Sequence, residues 1–349
     1  MSNRLKPVAE QVVVITGASS GIGLATARRA SEMGARLVLA ARNGSALDEI
    51  CAAINDRGGK AMAVTIDIAD HGAAERIAEQ ALAAFGGFDC WVNNAAVAMF
   101  APLTEVTLEE HRRVFDVGYF GYVQGSLAAV RHLRDKGGTL INVGSILSDR
   151  AVPLQGPYSA MKAAVMAFTD ALRMELENDG SLMAVTLIKP SAIDTPYIEH
   201  ARNKLDAPAR PPPPPAILYD VELVAKAICF AASNRRRSLT VGGSGLMLTA
   251  LAPLQPRLTD LFLEEMLDEE GQTGDTPPEP GAYDNLFEPR ADGRTASNQD
   301  RPVRGTSLYL EAQMHPLATA ALVGGAAALA GGAVWLLRDR ERHKDAAAA

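Results

Sequence analysis

Short apolar runs alternate with longer amphipathic stretches along the first 190 residues of the chain. The apolar runs are too short for helices, and most are rich in β-branched residues, which is typical of buried strands. They cover residues 12–16, 37–41, 61–66, 90–93, 139–143 and 184–188. A last strand is predicted near residues 239–241, after a helix over 221–232.

The stretches between these runs have apolar residues three and four positions apart, as in 22–33 and 73–85, and therefore predict helices. Strands that alternate with helices form right-handed βαβ units, which build a parallel sheet covered on both faces. The predicted fold class is α/β, a doubly wound Rossmann-type parallel sheet of about seven strands. We predict that it forms a catalytic domain over residues 1–255.

The pattern changes twice after residue 255. Residues 256–315 are predicted to hold a helix and then a disordered linker, because 269–305 is rich in Pro, Gly, Asp, Arg and Asn and has few large apolar side chains. Residues 316–337 carry no charge and would form a helix of about 33 Å, enough to cross a bilayer core. A transmembrane anchor is predicted there, followed by a charged tail over 338–349; a helix that packs on a partner is the alternative.

Charge and cysteine content narrow the partners and the compartment. The net charge of -7 argues against a nucleic-acid partner, since no basic excess exists to bind phosphates. The three cysteines, Cys51, Cys90 and Cys229, lie far apart without metal-ligand spacing, so we expect no metal and a reducing compartment. Residues 1–11 contain no apolar core of a secretory signal, which predicts a cytoplasmic catalytic domain. Small residues four apart in 320–332 suit close helix pairing, and we expect a homo-oligomer.

A glycine-rich loop follows the first predicted strand and opens the first predicted helix. Residues 16–23 read Thr-Gly-Ala-Ser-Ser-Gly-Ile-Gly. The glycines permit a tight turn and let the backbone approach a pyrophosphate, while the helix N-terminus supplies N–H groups and a positive dipole. The loop therefore predicts a dinucleotide site.

Four further features follow in the order that one enzyme family shows. They are Asn93-Asn94-Ala95 after the fourth strand, Ser145 after the fifth, the pair Tyr158 and Lys162 on the next helix, and residues 190–195 after the sixth strand. With the Gly-x3-Gly-x-Gly spacing, the chain resembles the short-chain dehydrogenase/reductase family over residues 11 to about 250. The resemblance implies hydride transfer between a nicotinamide cofactor and a small-molecule carbonyl or secondary alcohol.

The predicted catalytic residues are Ser145, Tyr158 and Lys162. Tyr158 and Lys162 lie one helical turn apart, so both project from the same face. A nearby ammonium favours the phenolate of Tyr158, which would act as general acid in reduction and as base in oxidation. Ser145 would hydrogen-bond the substrate oxygen; Ser148 lies close but lacks the family spacing.

The end of the second strand predicts the cofactor. An acidic residue there would bind a ribose 2′-hydroxyl and repel a phosphate, but this chain has Ala41 followed by Arg42, whose guanidinium suits a 2′-phosphate. NADP(H) is therefore expected. With the roles that the resemblance implies at the adenine, the nicotinamide ribose and the carboxamide, the predicted cofactor-binding residues are Gly17, Ser19, Ser20, Gly21, Ile22, Gly23, Arg42, Asp67, Ile68, Asn94, Ala95, Tyr158, Lys162, Pro190, Ile193 and Thr195.

One departure from the family pattern leaves alternatives open. The asparagine that the family usually carries on its fourth helix is replaced by Gly118, where we expect an asparagine to fit. A membrane-tethered, non-catalytic NADPH-binding scaffold is one alternative, and an epimerase or lyase of the same family is another. The loop over 196–219 is expected to cover the substrate but does not identify it.

Overall fold

The predicted strands form one parallel sheet in a computed structural model, which describes residues 5–213, 216–243, 254–274, 283–290, 293–322 and 324. The strands are β1 (Val12–Thr16), β2 (Arg36–Ala41), β3 (Lys60–Thr65), β4 (Cys90–Asn93), β5 (Met99–Phe100), β6 (Gly138–Val143), β7 (Met183–Pro190), β8 (Ile193–Asp194), β9 (Arg202–Asn203), β10 (Leu218–Asp220), β11 (Ser238–Val241) and β12 (Val303–Arg304). The α-helices are α1 (Gly21–Glu32), α2 (Gly44–Asp56), α3 (Ala73–Phe85), α4 (Leu108–Phe115), α5 (Gly121–Leu133), α6 (Gly156–Asn178), α7 (Tyr197–His200), α8 (Val221–Ser233), α9 (Pro256–Met266), α10 (Glu269–Gln272) and α11 (Leu308–Met314).

The seven long strands lie in the order β11-β7-β6-β4-β1-β2-β3, and every neighbouring pair is parallel. The order reverses between β1 and β4, because the chain first builds outward from β1 to β3 and then returns to the other side of β1. Sheets of this kind bind ligands in the crevice that opens beyond the carboxyl ends of the strands at such a reversal. The predicted α/β fold with about seven parallel strands is confirmed.

Alternate residues of the central strands serve two separate cores. Val13 and Ile15 of β1 pack in one cluster with side chains of α1, α2 and α8. Val12 and Val14 pack in the other cluster, with side chains of α3, α5 and α6. Both faces of the sheet are therefore covered by helices, which explains why its strands are unbroken apolar runs.

The structure differs from the predicted disordered linker in those parts of 269–305 that it describes. Leu286 is fully buried, and Val303–Arg304 form β12, which pairs with β10. The main-chain carbonyl groups of Asn285, Leu286 and Phe287 accept hydrogen bonds from arginine side chains of the domain. Main-chain acceptors therefore hold this segment in place of the apolar contacts that its composition lacks.

Helix α11 completes the edge of the sheet beside β11. Leu310 and Met314 are buried in the cluster that contains β11 and α8. The Thr240 N–H donates to Gln313 Oε1 at 2.9 Å, and Gln313 Nε2 donates to the Thr240 carbonyl at 2.9 Å. The packed core therefore extends to Met314, well beyond the predicted domain boundary at residue 255.

The predicted anchor is described only in part. Residues 316–322 and 324 are helical, and Leu317 and Leu322 are exposed. Within the described ranges of the chain, no helix is long and apolar enough to cross a membrane. The rest of 316–337 and the tail over 338–349 lie outside the described residues, so the anchor stays a prediction.

The packing of α11 can be tested by two matched truncations. Leu310→Ala should lower the free energy of unfolding by about 2–5 kcal/mol, because it removes a fully buried side chain from the core. Leu308→Ala is the control: Leu308 is 78% exposed, and its loss should change that free energy by less than about 0.5 kcal/mol. Urea unfolding of the full chain measures both values, and equal values would contradict the packing of α11 on the domain.

Candidate active site

A cavity of about 1110 Å³ lies beyond the carboxyl ends of the central strands. Its wall includes the three predicted catalytic residues and every predicted cofactor-binding residue except Gly23. A volume of this size exceeds that of an ordinary small-molecule pocket and leaves room for a dinucleotide together with a substrate. Residues that are spread over some 180 positions of the sequence are thus brought to one place by the parallel sheet.

The glycine loop is shaped by close backbone contacts. Gly17 has a φ of +66°, and a Cβ there would lie 2.7 Å from the Cα of Ala95. A Cβ on Gly23 would lie 2.1 Å from the Gly17 carbonyl oxygen. Gly23 does not line the cavity. Because it has no side chain, α1 can begin directly against the loop, at a position where only glycine fits.

Asn94 holds this loop from the neighbouring strand. Its Nδ2 donates to the carbonyl oxygens of Thr16 at 3.0 Å and Gly17 at 3.1 Å. On the other side, a Cβ on Gly21 would lie 3.5 Å from the Thr195 Cβ, so the residue expected at the carboxamide faces the loop. The backbone groove between these contacts, at the N-terminus of α1, fits a pyrophosphate.

Tyr158 lies in the first turn of α6 and keeps part of its ring exposed to the cavity. Burial raises the pKa of Tyr158 to about 12, and a hydrogen bond with Ser145 opposes that rise. Ser145 Oγ also accepts the Leu147 N–H at 3.1 Å, which fixes the hydroxyl beside the phenol. At neutral pH Tyr158 therefore carries its proton.

Lys162 is fully buried one turn further along α6. Its Nζ donates to the Val143 carbonyl at 2.7 Å and to the Tyr122 hydroxyl at 3.2 Å, and lies 5.6 Å from the centroid of the Tyr158 ring. Burial lowers the pKa of Lys162 to about 7. Sequence reasoning missed Tyr122, because no local pattern shows that α5 turns its hydroxyl toward α6.

Gly118 lies in a π-helical turn, Asp116–Phe120, between α4 and α5. A Cβ on Gly118 would lie 2.6 Å from both Sδ and Cε of Met161, a fully buried residue of α6. An asparagine at this position therefore requires the end of the flexible Met161 side chain to shift. The expectation that asparagine fits stays a prediction.

Two arginines lie near the end of the cavity where β2 and β3 terminate: Arg42 lines the cavity, and Arg113 lies behind Asp67. Arg42 donates to the carbonyl oxygens of Phe287 at 2.8 Å and Asn285 at 2.5 Å. Arg113 from α4 pairs with Asp67, with 2.5 Å between NH2 and Oδ2. Arg113 could not be found from the sequence, because it stands 46 positions from Asp67 in an otherwise ordinary amphipathic helix.

Residues 283–290 and 293–294, here called the strap, cross this end of the cavity. Asn43 Nδ2 donates to the Arg290 carbonyl at 2.9 Å. The Gly293 N–H donates to the Ser19 carbonyl at 2.9 Å, and the Gly21 N–H donates to the Arg294 carbonyl at 2.9 Å. The strap therefore touches the glycine loop itself, which the sequence did not indicate.

The opposite end of the cavity, around Tyr158, has mainly apolar walls. The Tyr197 ring of α7 stands 5.3 Å from the Tyr158 ring, within the loop over 196–219 that was expected to cover the substrate. Helix α9, which sequence reasoning left outside the site, contributes Phe262 and Leu263 to the cavity wall. The other apolar side chains of this part of the wall are Val97, Ala98, Phe100, Leu147, Val152, Ile198, Leu258, Met266 and Leu267.

Comparison with known proteins agrees with this geometry. The short chain dehydrogenase family model matches residues 11–206, more than half of the chain. The uncharacterized oxidoreductase YxnA of Bacillus subtilis (strain 168) is 41% identical over 329 residues, which cover 94% of this chain and 92% of that protein. Cis-4-hydroxycyclohexanecarboxylate dehydrogenase of Sinomonas cyclohexanicum is 35% identical over 228 residues, 65% of this chain and 90% of its own.

Two solved structures share the fold. A short chain dehydrogenase/reductase from Burkholderia phymatum in complex with NAD has a TM-score of 0.64 at 24% identity and covers 79% of this chain and 99% of its own. An alcohol dehydrogenase from the archaeon Thermococcus sibiricus, complexed with 5-hydroxy-NADP, has a TM-score of 0.58 at 26% identity and covers 66% of this chain and 95% of its own. The chain therefore belongs to the short-chain dehydrogenase/reductase family, oxidoreductases that act on alcohol and carbonyl groups with a nicotinamide cofactor.

Proposed function

We propose that this protein interconverts a small carbonyl compound and its secondary alcohol with NADP(H), and that Tyr158 is the general acid and base. One observation carries the proposal: Ser145, Tyr158 and Lys162 share the wall of the cavity that contains the glycine loop. A scaffold that only binds the cofactor would have no need for the bond between Ser145 and Tyr158.

The proton chemistry follows from the shifted pKa values of Tyr158 and Lys162. When bound, the nicotinamide would supply or accept the hydride. In reduction, Tyr158 is already protonated at neutral pH and would donate to the carbonyl oxygen, while Ser145 would hydrogen-bond that oxygen as charge develops. In oxidation Tyr158 must first lose its proton, and the ammonium form of Lys162, 5.6 Å from the ring centroid, would stabilise the phenolate.

The choice of NADP(H) over NAD(H) rests on the end of β2. Ala41 stands where a carboxylate would repel a phosphate, and Arg42 lies on the cavity wall beside it. The two similar solved structures hold an NAD and an NADP derivative, so the fold alone favours neither cofactor.

The walls around Tyr158 favour a substrate with an uncharged, mainly apolar body. Phe100, Val152, Ile198 and Leu263 present hydrocarbon surface to this part of the cavity. Each buried methylene of a matching substrate contributes about 0.8 kcal/mol to binding. A panel of uncharged ketones of increasing size is therefore the appropriate screen.

The proposed mechanism is tested by Tyr158→Phe. Turnover on a ketone identified in that screen should fall about 100- to 10,000-fold, the range for losing a positioned acid, while NADPH binding stays nearly unchanged. Steady-state kinetics and a fluorescence titration of NADPH measure the two effects separately. Turnover equal to that of the wild type would rule out Tyr158 as the acid, and NADPH binding without reduction of any ketone would favour the scaffold or the epimerase and lyase chemistry.

The cofactor choice is tested by two substitutions at the end of β2. Arg42→Gln should weaken NADPH binding by about 1.5–3 kcal/mol, the range for a charge-assisted contact, and should weaken NADH binding less, because NADH lacks the 2′-phosphate. Ala41→Asp should act in the same direction by repelling the 2′-phosphate. Arg57→Gln, at the far end of α2 and about 20 Å away along that helix, is the control. Wild-type protein that binds NADH as tightly as NADPH would contradict the assignment.

The contact between Gly118 and Met161 yields a double-variant test. Gly118→Asn must displace the end of the flexible Met161 side chain and should lower the free energy of unfolding by about 1 kcal/mol, the low end of the usual cost of overpacking. Turnover should fall as well, because Met161 belongs to the same turn of α6 as Tyr158 and Lys162. Adding Met161→Ser to Gly118→Asn should restore most of the lost stability and most of the lost turnover, as measured by urea unfolding and kinetics. A single variant with wild-type stability would show that Met161 moves aside at no cost.

A further inference from the structure

We propose that the strap is part of the nucleotide site and that Arg290 binds the pyrophosphate of the cofactor. The inference depends on the proposed function only in that a nicotinamide dinucleotide is the ligand. It assigns a binding role to the region that the sequence marked as a disordered linker.

Arg290 spans the gap where a pyrophosphate would lie. Its carbonyl oxygen accepts a hydrogen bond from Asn43 Nδ2, just beyond β2. Its guanidinium donates to the Glu199 carbonyl in α7, a few residues beyond Thr195. A dinucleotide with its adenosine at the end of β2 and its nicotinamide at Thr195 places its two phosphates between these contacts.

The buried positive charge of Arg290 would be stabilised by an anion. The residue is only 8% exposed and lies on the cavity wall. Among the residues that the structure describes, no carboxylate lies within ion-pair distance of its guanidinium, and the bond to Glu199 involves a neutral carbonyl. The Glu199 carboxylate is instead engaged by Arg294 at 2.5 Å and by the Asn298 N–H at 2.7 Å. Because a buried cation without a counter-ion is costly, a pyrophosphate would stabilise this arrangement.

The strap is held by anchors that need no cofactor. Leu286 is fully buried in a core cluster, and its carbonyl accepts from Arg113 Nε at 2.8 Å. Asp284 pairs with Arg202 at 2.9 Å, which ties the strap to the loop over 196–219. These contacts hold the strap in place, with Gly293 and Arg294 against the glycine loop and Arg290 between Asn43 and Glu199, before a ligand arrives.

The opposite role for the strap is that of a plug. The Gly21 N–H and the Arg42 guanidinium both donate to carbonyl oxygens of the strap. A bound dinucleotide would accept hydrogen bonds from the same donors, so the strap would compete with it. The two roles predict opposite effects of strap substitutions on cofactor affinity. Loosening a plug tightens cofactor binding, whereas loosening a binding element weakens it and speeds release.

Substitutions of Arg290 in the full-length chain decide between them. Arg290→Gln should raise the Kd of both NADPH and NADH about 10-fold or more, since both carry the pyrophosphate, and Arg290→Lys should raise it less. Arg301→Gln is the matched control: its guanidinium donates to the Pro212 carbonyl at 3.0 Å, and its loss should leave both Kd values unchanged. Arg42→Gln, by contrast, removes two bonds to the strap together with the proposed 2′-phosphate contact, so it should raise the Kd of NADPH more than that of NADH, whereas Arg290→Gln should raise both equally.

A second set of measurements follows the strap itself. Leu286→Ser should release it and accelerate NADPH dissociation in stopped-flow experiments, while Leu308→Ser, at an exposed position, should not. NADPH should also protect the bonds after Arg290 and Arg294 from trypsin, but not the bond after the exposed Arg257.

Three outcomes would overturn the proposal, and they are distinguishable. Tighter binding by Arg290→Gln or Leu286→Ser would identify the strap as a plug. Unchanged Kd values and unchanged proteolysis would show that the strap does not contact the cofactor, with the oxidoreductase function intact. Wild-type protein that binds neither NADPH nor NADH would remove the proposed function together with this inference.

Discussion

The rest of the site depends on the close approach of the Gly17 carbonyl to the first turn of α1. No Cβ fits at Gly23, and Asn94 fastens the same carbonyl from β4, across the point where the strand order reverses. This contact fixes where α1 begins, and thereby the direction in which its free N–H groups face. The positions of Ser145 after β6, of Tyr158 and Lys162 on α6 and of the residues after β7 are then set by the spacing of the parallel strands. A displaced glycine loop would leave them without a cofactor to face.

Desolvation shapes the chemistry on the other side of the cavity. The same removal from water raises the pKa of Tyr158 and lowers that of Lys162, so both side chains favour their neutral forms. The hydrogen bonds of Lys162 to Val143 and Tyr122 keep its amino group in place whichever form it takes. An anionic ligand in this cavity would favour the ammonium, and the ammonium would in turn favour the phenolate. Ligand binding and the acidity of Tyr158 are thus coupled through one buried lysine.

The features of this molecule that could be predicted from its sequence are those encoded within a few neighbouring residues. The strand runs, the glycine loop and the spacing of Tyr158 and Lys162 are each legible within a few residues, and the parallel topology then brings them together without further information. Contacts between distant polar residues leave no such trace. Arg113 of α4 pairs with Asp67, which follows β3, and Met161 of α6 lies against Gly118, some forty residues away in the sequence.

The C-terminal segment shows why composition was an unreliable guide there. Its order comes from main-chain carbonyls that meet Arg42 and Arg113 and from the single buried side chain of Leu286, and none of these alters the average apolarity of the segment. The alignment with YxnA of Bacillus subtilis spans 94% of the chain and so extends through this region as well as the domain. A segment poor in apolar residues can therefore be structured when the domain supplies the donors.

The position of the strap in the chain has a consequence for how the protein is made. Arg42 and the carbonyls that it binds are separated by 243 and 245 positions, and contacts so distant in sequence form late, because a long loop must close first. During translation the amino-terminal part emerges and folds first. A chain that has been translated only to residue 255 contains the glycine loop and Tyr158 but not the strap. The enclosure of the cavity at the end of β2 is thus finished only after residues 283–294 have been made, and a chain terminated before them would carry Ser145, Tyr158 and Lys162 without that enclosure.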